Sequence, residues 1–113
     1  FTGMFSSDDD LANKLIIAGE KSGEEVWRLP LNDKYKEYIK SHIADIKNCG
    51  PKDGGAITAA MFLKEFVDCK KWAHLDTAGT AWTTKKNNVL NPVGGTGVGV
   101  RLAVKLLKYW DKK

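Results

Sequence analysis

The sequence predicts an α/β layer fold whose sheet is only partly encoded by these 113 residues. Two observations carry that expectation. Ala56-Ile57-Thr58-Ala59-Ala60-Met61-Phe62-Leu63 is apolar on nearly every face when wound as a helix, and the last helix, from near Gly99, is apolar on every side but one narrow stripe. Such helices need cover on more than one side, and the chain offers only one short strand and one extended segment to supply it. Strands from outside the chain are therefore expected to complete the sheet.

The first element is a helix over 8–22. Ser7 and Asp10 form a capping-box-like start, Asp8, Asp9 and Asp10 place negative charge at the helix N-terminus, and Leu11, Leu15 and Ile16 share one face. Lys21 and Gly23 supply the matching stop. Val26 to Leu31 contains Pro30, which lacks a backbone donor, so the stretch reads as an extended connector or edge segment. A second helix follows, capped by Asp33, with Tyr35, Tyr38, Ile39 and His42 on one face and His42 at least half-buried.

After a loop over 51–55 comes the apolar helix, expected to pack deep, with Gly55, Ala59 and Ala60 allowing close approach and Thr58 needing a local hydroxyl partner. Trp72 to Thr77 reads as a strand with Ala73, Leu75 and Thr77 on one face and Trp72, His74 and Asp76 on the other. In the last helix the charged stripe is Arg101, Lys105, Lys108 and Lys112.

Charge and composition exclude several classes. Eighteen Lys and Arg against fourteen Asp and Glu give +4, gathered mainly after Lys85 and ending at Lys112 and Lys113. No basic stripe interleaves with aromatics, so no nucleic-acid partner is expected. No secretory or membrane-spanning run is present in the sequence, which predicts no membrane partner and a soluble, reducing compartment with Cys49 and Cys69 as free thiols. The opening Phe-Thr-Gly reads as the middle of something larger.

The residues that could carry chemistry are His42, Asp45, Cys49, Cys69, His74 and Asp76. None forms the close pair that seeds a zinc chelate, and His74-x-Asp76 is as naturally a His–Asp hydrogen bond, so no metal site is expected in this chain. Gly94-Gly95-Thr96-Gly97-Val98-Gly99 precedes a helix and invites a phosphate-loop reading, but no Gly-x-Gly-x-x-Gly or Gly-Lys-Ser/Thr can be drawn from it. A turn that lets the last helix pack closely is the expectation.

Six stretches, in order, resemble the C-terminal part of the M17 leucyl aminopeptidases. They are Gly3-Met4-Phe5-Ser6 with Asp8-Asp9; Gly23 through Val26-Trp27-Arg28-Leu29-Pro30-Leu31; Ala44-Asp45 with Asn48; Gly55 through Val67; Trp72-Ala73-His74-Leu75-Asp76 with Ala78-Gly79-Thr80-Ala81-Trp82; and Thr96 through Leu102. The resemblance implies that residues 1–113 are the C-terminal portion of a mixed-sheet catalytic domain with helices packed on both faces. It also implies a cytoplasmic homohexameric enzyme that removes N-terminal residues, leucine among them, from peptides with two divalent ions, zinc or manganese. The family's ligand and catalytic motifs, Gly-Lys-Gly-x-Thr-Phe-Asp-Ser-Gly-Gly and Asn-Thr-Asp-Ala-Glu-Gly-Arg, are not in this sequence. By the same resemblance, the remainder of the enzyme is the partner that holds the metals, and no residue here is catalytic. Ala78, Thr80 and Ala81 would line the pocket for the substrate's first side chain, and Cys49, where the family usually has isoleucine, would lie beside the pocket for the second residue. Thr77 and the loop Pro51-Lys52-Asp53 also depart from the family's common form. The alternative is a non-catalytic interaction or scaffold domain derived from this family.

Overall fold

The computed structural model describes residues 1–85 and 93–110. Their elements are β1 (Thr2–Ser6), α1 (Asp9–Ser22), β2 (Val26–Arg28), a 3-10 helix (Asp33–Ile39), α2 (Gly55–Lys64), β3 (Ala73–Asp76), β4 (Trp82–Thr83), β5 (Gly94–Gly95) and α3 (Val100–Lys108). Lys112 and Lys113 lie outside the described residues.

A mixed sheet in the order β2-β1-β3 forms the middle layer. β1 pairs parallel with β2, from Thr2 opposite Val26 to Met4 opposite Arg28, and antiparallel with β3, from Gly3 opposite Asp76 to Ser6 opposite Ala73. The central strand is the one element of this sheet that the sequence reading did not assign. Its residues Met4, Phe5 and Ser6 are all buried, so it lacks the alternation of a half-exposed strand.

Helices cover both faces, as the resemblance implies. On one side Met4 joins Leu11, Ala12, Leu15 and Ala18 of α1, Val26, and Leu102 of α3, with Ala73 and Leu75 packed against them. Each large aliphatic side chain buried there contributes roughly 1.5–3 kcal/mol relative to exposure. On the other side the register sends Phe5 and His74 outward together, and α2 packs across β1, β3 and the 3-10 helix.

α1 begins one residue later than expected. Asp8, not Ser7, is the N-cap: its side chain accepts from Leu11 N at 2.7 Å. The Ser7 hydroxyl is turned instead toward the carbonyls of Lys70 and Trp72. At the other end Gly23 adopts φ 71°, a left-handed stop that a Cβ would disfavour. The ion pairs Arg28–Asp9 at 2.7 Å and Lys71–Asp10 at 3.3 Å tie the helix start to its neighbours, and hydrogen bonds from Lys71 and Lys14 hold the Asp10 carboxyl below its usual range. These are exposed pairs, so they orient more than they stabilise.

Two helix expectations are corrected. The second helix is a single 3-10 segment capped by Asn32, whose side chain accepts from Lys34 N, rather than by Asp33. It ends at the extended Lys40, after which the Ser41 hydroxyl accepts from Ile43 N and Ala44 N, and His42 lands in this turn, exposed rather than half-buried. α2 is buried on one face only, through Thr58, Ala60 and Met61, while Ala59 and Leu63 are exposed. The Thr58 hydroxyl finds the local partner it needs, donating to Gly55 O at 3.0 Å.

α3 starts at Gly99, with φ 98°, and no side chain of its own caps it. The missing cap comes from the far side of α1. Glu24 Oε2 accepts from Gly99 N at 3.0 Å and from Leu102 N at 2.8 Å, with a side chain only 3% exposed. Its other oxygen, Oε1, stands 3.2 Å from Arg101 Nη2, an ion pair whose alignment leaves Oε1 and Arg101 Nε without a hydrogen-bond partner among the described residues. Lys14 over Trp110 at 4.8 Å and Lys21 over Tyr109 at 4.1 Å fasten the other end of α3 to α1.

Glu24→Ala removes a helix cap and strips the partly buried Arg101 of its counter-charge, so a loss of about 2–4 kcal/mol in urea unfolding is expected. Glu24→Gln keeps an acceptor oxygen and should lose clearly less; equal losses would contradict the capping role.

Candidate functional site

The turn that follows β3 is closed by the Asp76 side chain and by its own backbone. Asp76 Oδ1 accepts from Ala78 N at 2.9 Å, and Thr77 O accepts from Thr80 N at 3.0 Å and Ala81 N at 2.8 Å. Two further segments reach it. Thr80 Oγ1 lies 2.8 Å from Thr2 Oγ1 on β1, and Thr96, just past β5, donates its hydroxyl to Thr80 O at 2.7 Å and its N–H to Ala81 O at 2.9 Å.

Concave surface lies on both sides of this turn. Thr80 and Gly79 line a depression of about 460 Å³ together with Thr2, Thr96, Glu24 and Arg101. Gly79 and Asp76 line a second, of about 380 Å³, with Gly3, Trp27, Leu29 and Ala56. Ala78 and Ala81 are exposed on the turn itself. Thus Ala78, Thr80 and Ala81 are brought together.

Cys49 is not brought to them. It lines a separate groove of about 790 Å³ with Asp45, Asn48, Phe62 and Phe66. The loop carrying Cys49 approaches α2 closely at Gly50: a Cβ there would fall 2.5 Å from the Oγ1 and 2.7 Å from the Cβ of Thr58, which is buried in α2. The residue after Cys49 must therefore be glycine for its loop to lie this close to the helix.

The other ligand-type residues are dispersed. His74 stacks between Phe5, with ring centroids 5.9 Å apart, and Trp72, at 6.4 Å, and burial pushes its imidazole below the ordinary range against the opposing effect of Asp76. Asp76 accepts from Ala78 N rather than pairing with His74, which corrects the expected His–Asp hydrogen bond. Cys49 and Cys69 are free and exposed, as expected. Among the described residues no three His, Cys, Asp or Glu side chains converge as metal ligands. The glycine-rich approach to α3 is a turn only in its last part, at Val98 and Gly99, because Gly94 and Gly95 pair with β4 as β5, and the helix start that invited a phosphate is taken by Glu24. Among the described residues no helix is long and apolar enough to cross a membrane.

The sequence model of the Cytosol aminopeptidase family, catalytic domain, matches residues 1–104. The chain belongs to that family. Probable cytosol aminopeptidases of Prochlorococcus marinus strain MIT 9312 and of Roseiflexus castenholzii are 57% and 53% identical to it over 107 and 110 residues, which are 94% and 97% of this chain. In both cases the chain spans 22% of the relative's length. Among solved structures, a tomato leucine aminopeptidase variant matches at TM-score 0.83 and 46% identity, over 94% of this chain and 20% of that one. The bottromycin maturation enzyme BotP in complex with Mn matches at TM-score 0.89 and 36% identity, over 96% and 24%. This chain is thus matched along nearly its whole length, while most of each relative lies outside the match.

Three residues of the site escaped the sequence reading: Thr2, Thr96 and Glu24. Each acts on a segment far away in the chain, and no local pattern marks such a partner. Gly50→Ala should cost about 1–3 kcal/mol by overpacking against Thr58. Thr58→Ala in the same chain opens the space, so thermal unfolding of the double variant should recover part of that loss.

Proposed function

We propose that this chain is the C-terminal portion of the catalytic domain of a dimetal leucyl aminopeptidase, whose metal ligands and catalytic groups lie on the remainder of the enzyme. The observation that carries the reading is the family match over residues 1–104, together with 57% and 53% identity to probable cytosol aminopeptidases over 107 and 110 residues. Two divalent ions, zinc or manganese, would supply an activated water and a polarised scissile carbonyl. The manganese in BotP supports a metal-dependent reaction. The described residues of this chain do not form a ligand set, so they are given no part in holding the ions.

What the chain contributes is the shape of the substrate site. Ala78, Thr80 and Ala81 form the wall for the first side chain: a turn with no bulky group leaves room for leucine, and Thr80 is held by hydrogen bonds on its hydroxyl and its carbonyl. Cys49, in the groove with Phe62 and Phe66, borders the position of the second residue. The names of the relatives support a cytoplasmic enzyme acting on peptides, and we assign it the homohexameric assembly of the family.

The complete enzyme should release leucine from a leucyl chromogenic substrate, lose activity to a chelator and regain it with Mn or Zn, while the isolated chain stays inert with either metal. Hydrolysis by the isolated chain, free of contaminating enzyme, would overturn this assignment. In the complete enzyme Cys49→Ile adds about two carbons to an apolar wall, which predicts a change in second-residue selectivity of roughly threefold or more. Unchanged relative kcat/KM over a leucyl dipeptide panel would remove Cys49 from the site.

A further inference from the structure

We propose that Thr2 and Thr96 are positioning residues that set the depth of the first-side-chain pocket by fixing the turn Thr77–Ala81 from two sides. The inference rests on the reading that Ala78, Thr80 and Ala81 form the pocket wall. Within this chain, packing holds only the half-buried Thr77 and Thr80 of the turn. Ala78, Gly79 and Ala81 are exposed, and a Cβ added at Gly79 would meet nothing within 4 Å. The wall's position is left to hydrogen bonds: Asp76 at the end of β3 holds Ala78 N, and the bonds to segments distant in the chain come from two threonines.

Thr2 is 2% exposed and rigidly seated, since its N–H donates to Glu25 O at 3.0 Å and its hydroxyl meets Thr80 Oγ1 at 2.8 Å. Thr96 grips the opposite side of the turn. It donates twice, from Oγ1 to Thr80 O and from N to Ala81 O, while Oγ1 accepts from Val98 N at 3.3 Å. Val98 and Gly99 lead into α3, whose first N–H groups are held by Glu24. The wall is therefore referenced to β1 through Thr2 and to α3 through Thr96. Movement of Thr80 by a fraction of an ångström alters the room available to a leucine side chain and leaves the reacting atoms in place. Loss of a positioning hydroxyl should thus change KM and selectivity more than kcat.

The test uses the complete enzyme with Thr96→Val, Thr96→Ser, Thr2→Val and Ala81→Leu, assayed on leucyl, alanyl and phenylalanyl chromogenic substrates. Thr96→Val should shift the leucine-to-alanine ratio of kcat/KM by about three- to tenfold, the range of one neutral hydrogen bond, with most of the change in KM. Thr96→Ser keeps the hydroxyl and should restore the parent ratio. If Thr96→Val does not fold, Thr2→Val gives the same readout from the other side. A folded valine variant whose ratio stays within twofold of the parent, or a serine variant displaced as far as the valine one, overturns the proposal. If Ala81→Leu shifts the ratio and the threonine variants do not, the wall stands and the positioning role falls. If Ala81→Leu is silent too, the wall assignment falls with it.

Discussion

The arrangement hangs on one buried carboxylate. Glu24 follows the left-handed stop of α1 and reaches across to the start of α3, where one oxygen accepts two backbone N–H groups that no residue of α3 can satisfy. Taking a carboxylate out of water is costly, and two N–H donors at the positive end of a helix dipole, with a guanidinium beside the second oxygen, are what offset that cost. Gly99 meets the carboxylate from a left-handed φ of 98°, Gly23 ends α1 one residue before Glu24, and Thr96, three residues before Gly99, bonds the turn after β3.

That interaction also explains why the glycine-rich approach to α3 resembles an anion-binding loop without being one. Exposed N–H groups at a helix start attract a negative charge, and here the charge is an internal side chain. A sequence reader sees the glycines and the helix. The carboxylate that fills the position lies 75 residues before Gly99, in the connection between α1 and β2, with a second glutamate, Glu25, beside it that does not enter the core.

What could be read from the sequence was local. The stop at Gly23, the extended stretch interrupted by Pro30, the self-satisfying Thr58 and the two-faced strand from Ala73 to Asp76 follow from one turn or one pleat of chain, and all are present. β1 is not legible because burial on both sides erases alternation, and Ser7 does not cap α1 because its hydroxyl donates to carbonyls from around residue 70, which no local pattern announces. His42 fell outside its helix because a serine hydroxyl two residues after the end offered the backbone a competing turn. In the site, the contiguous Ala78, Thr80 and Ala81 could be grouped by sequence, whereas the separation of Cys49 from them depends on how α2 and its loop sit in three dimensions. The apolar character of α2 and α3 is legible in the sequence, and so is their need for cover from outside the chain: Leu63, Val100, Val104 and Leu107 are exposed, and relatives of which this chain spans 22% have the rest of their length to lie against such faces.

The two edges of β1 are filled from very different distances along the chain. β2 arrives directly after the α1 crossover, so β1, α1 and β2 form a short-range unit that can close early, whereas β3 comes from more than sixty residues further on by the register with Ala73–Asp76. A chain made from its N-terminus would hold the second edge of β1, with Met4 and Phe5 at its centre, unpaired until β3 emerged. The same pairing that buries the strand most completely in the finished fold therefore defines the interval in synthesis when it is most open to capture by another chain or by a chaperone.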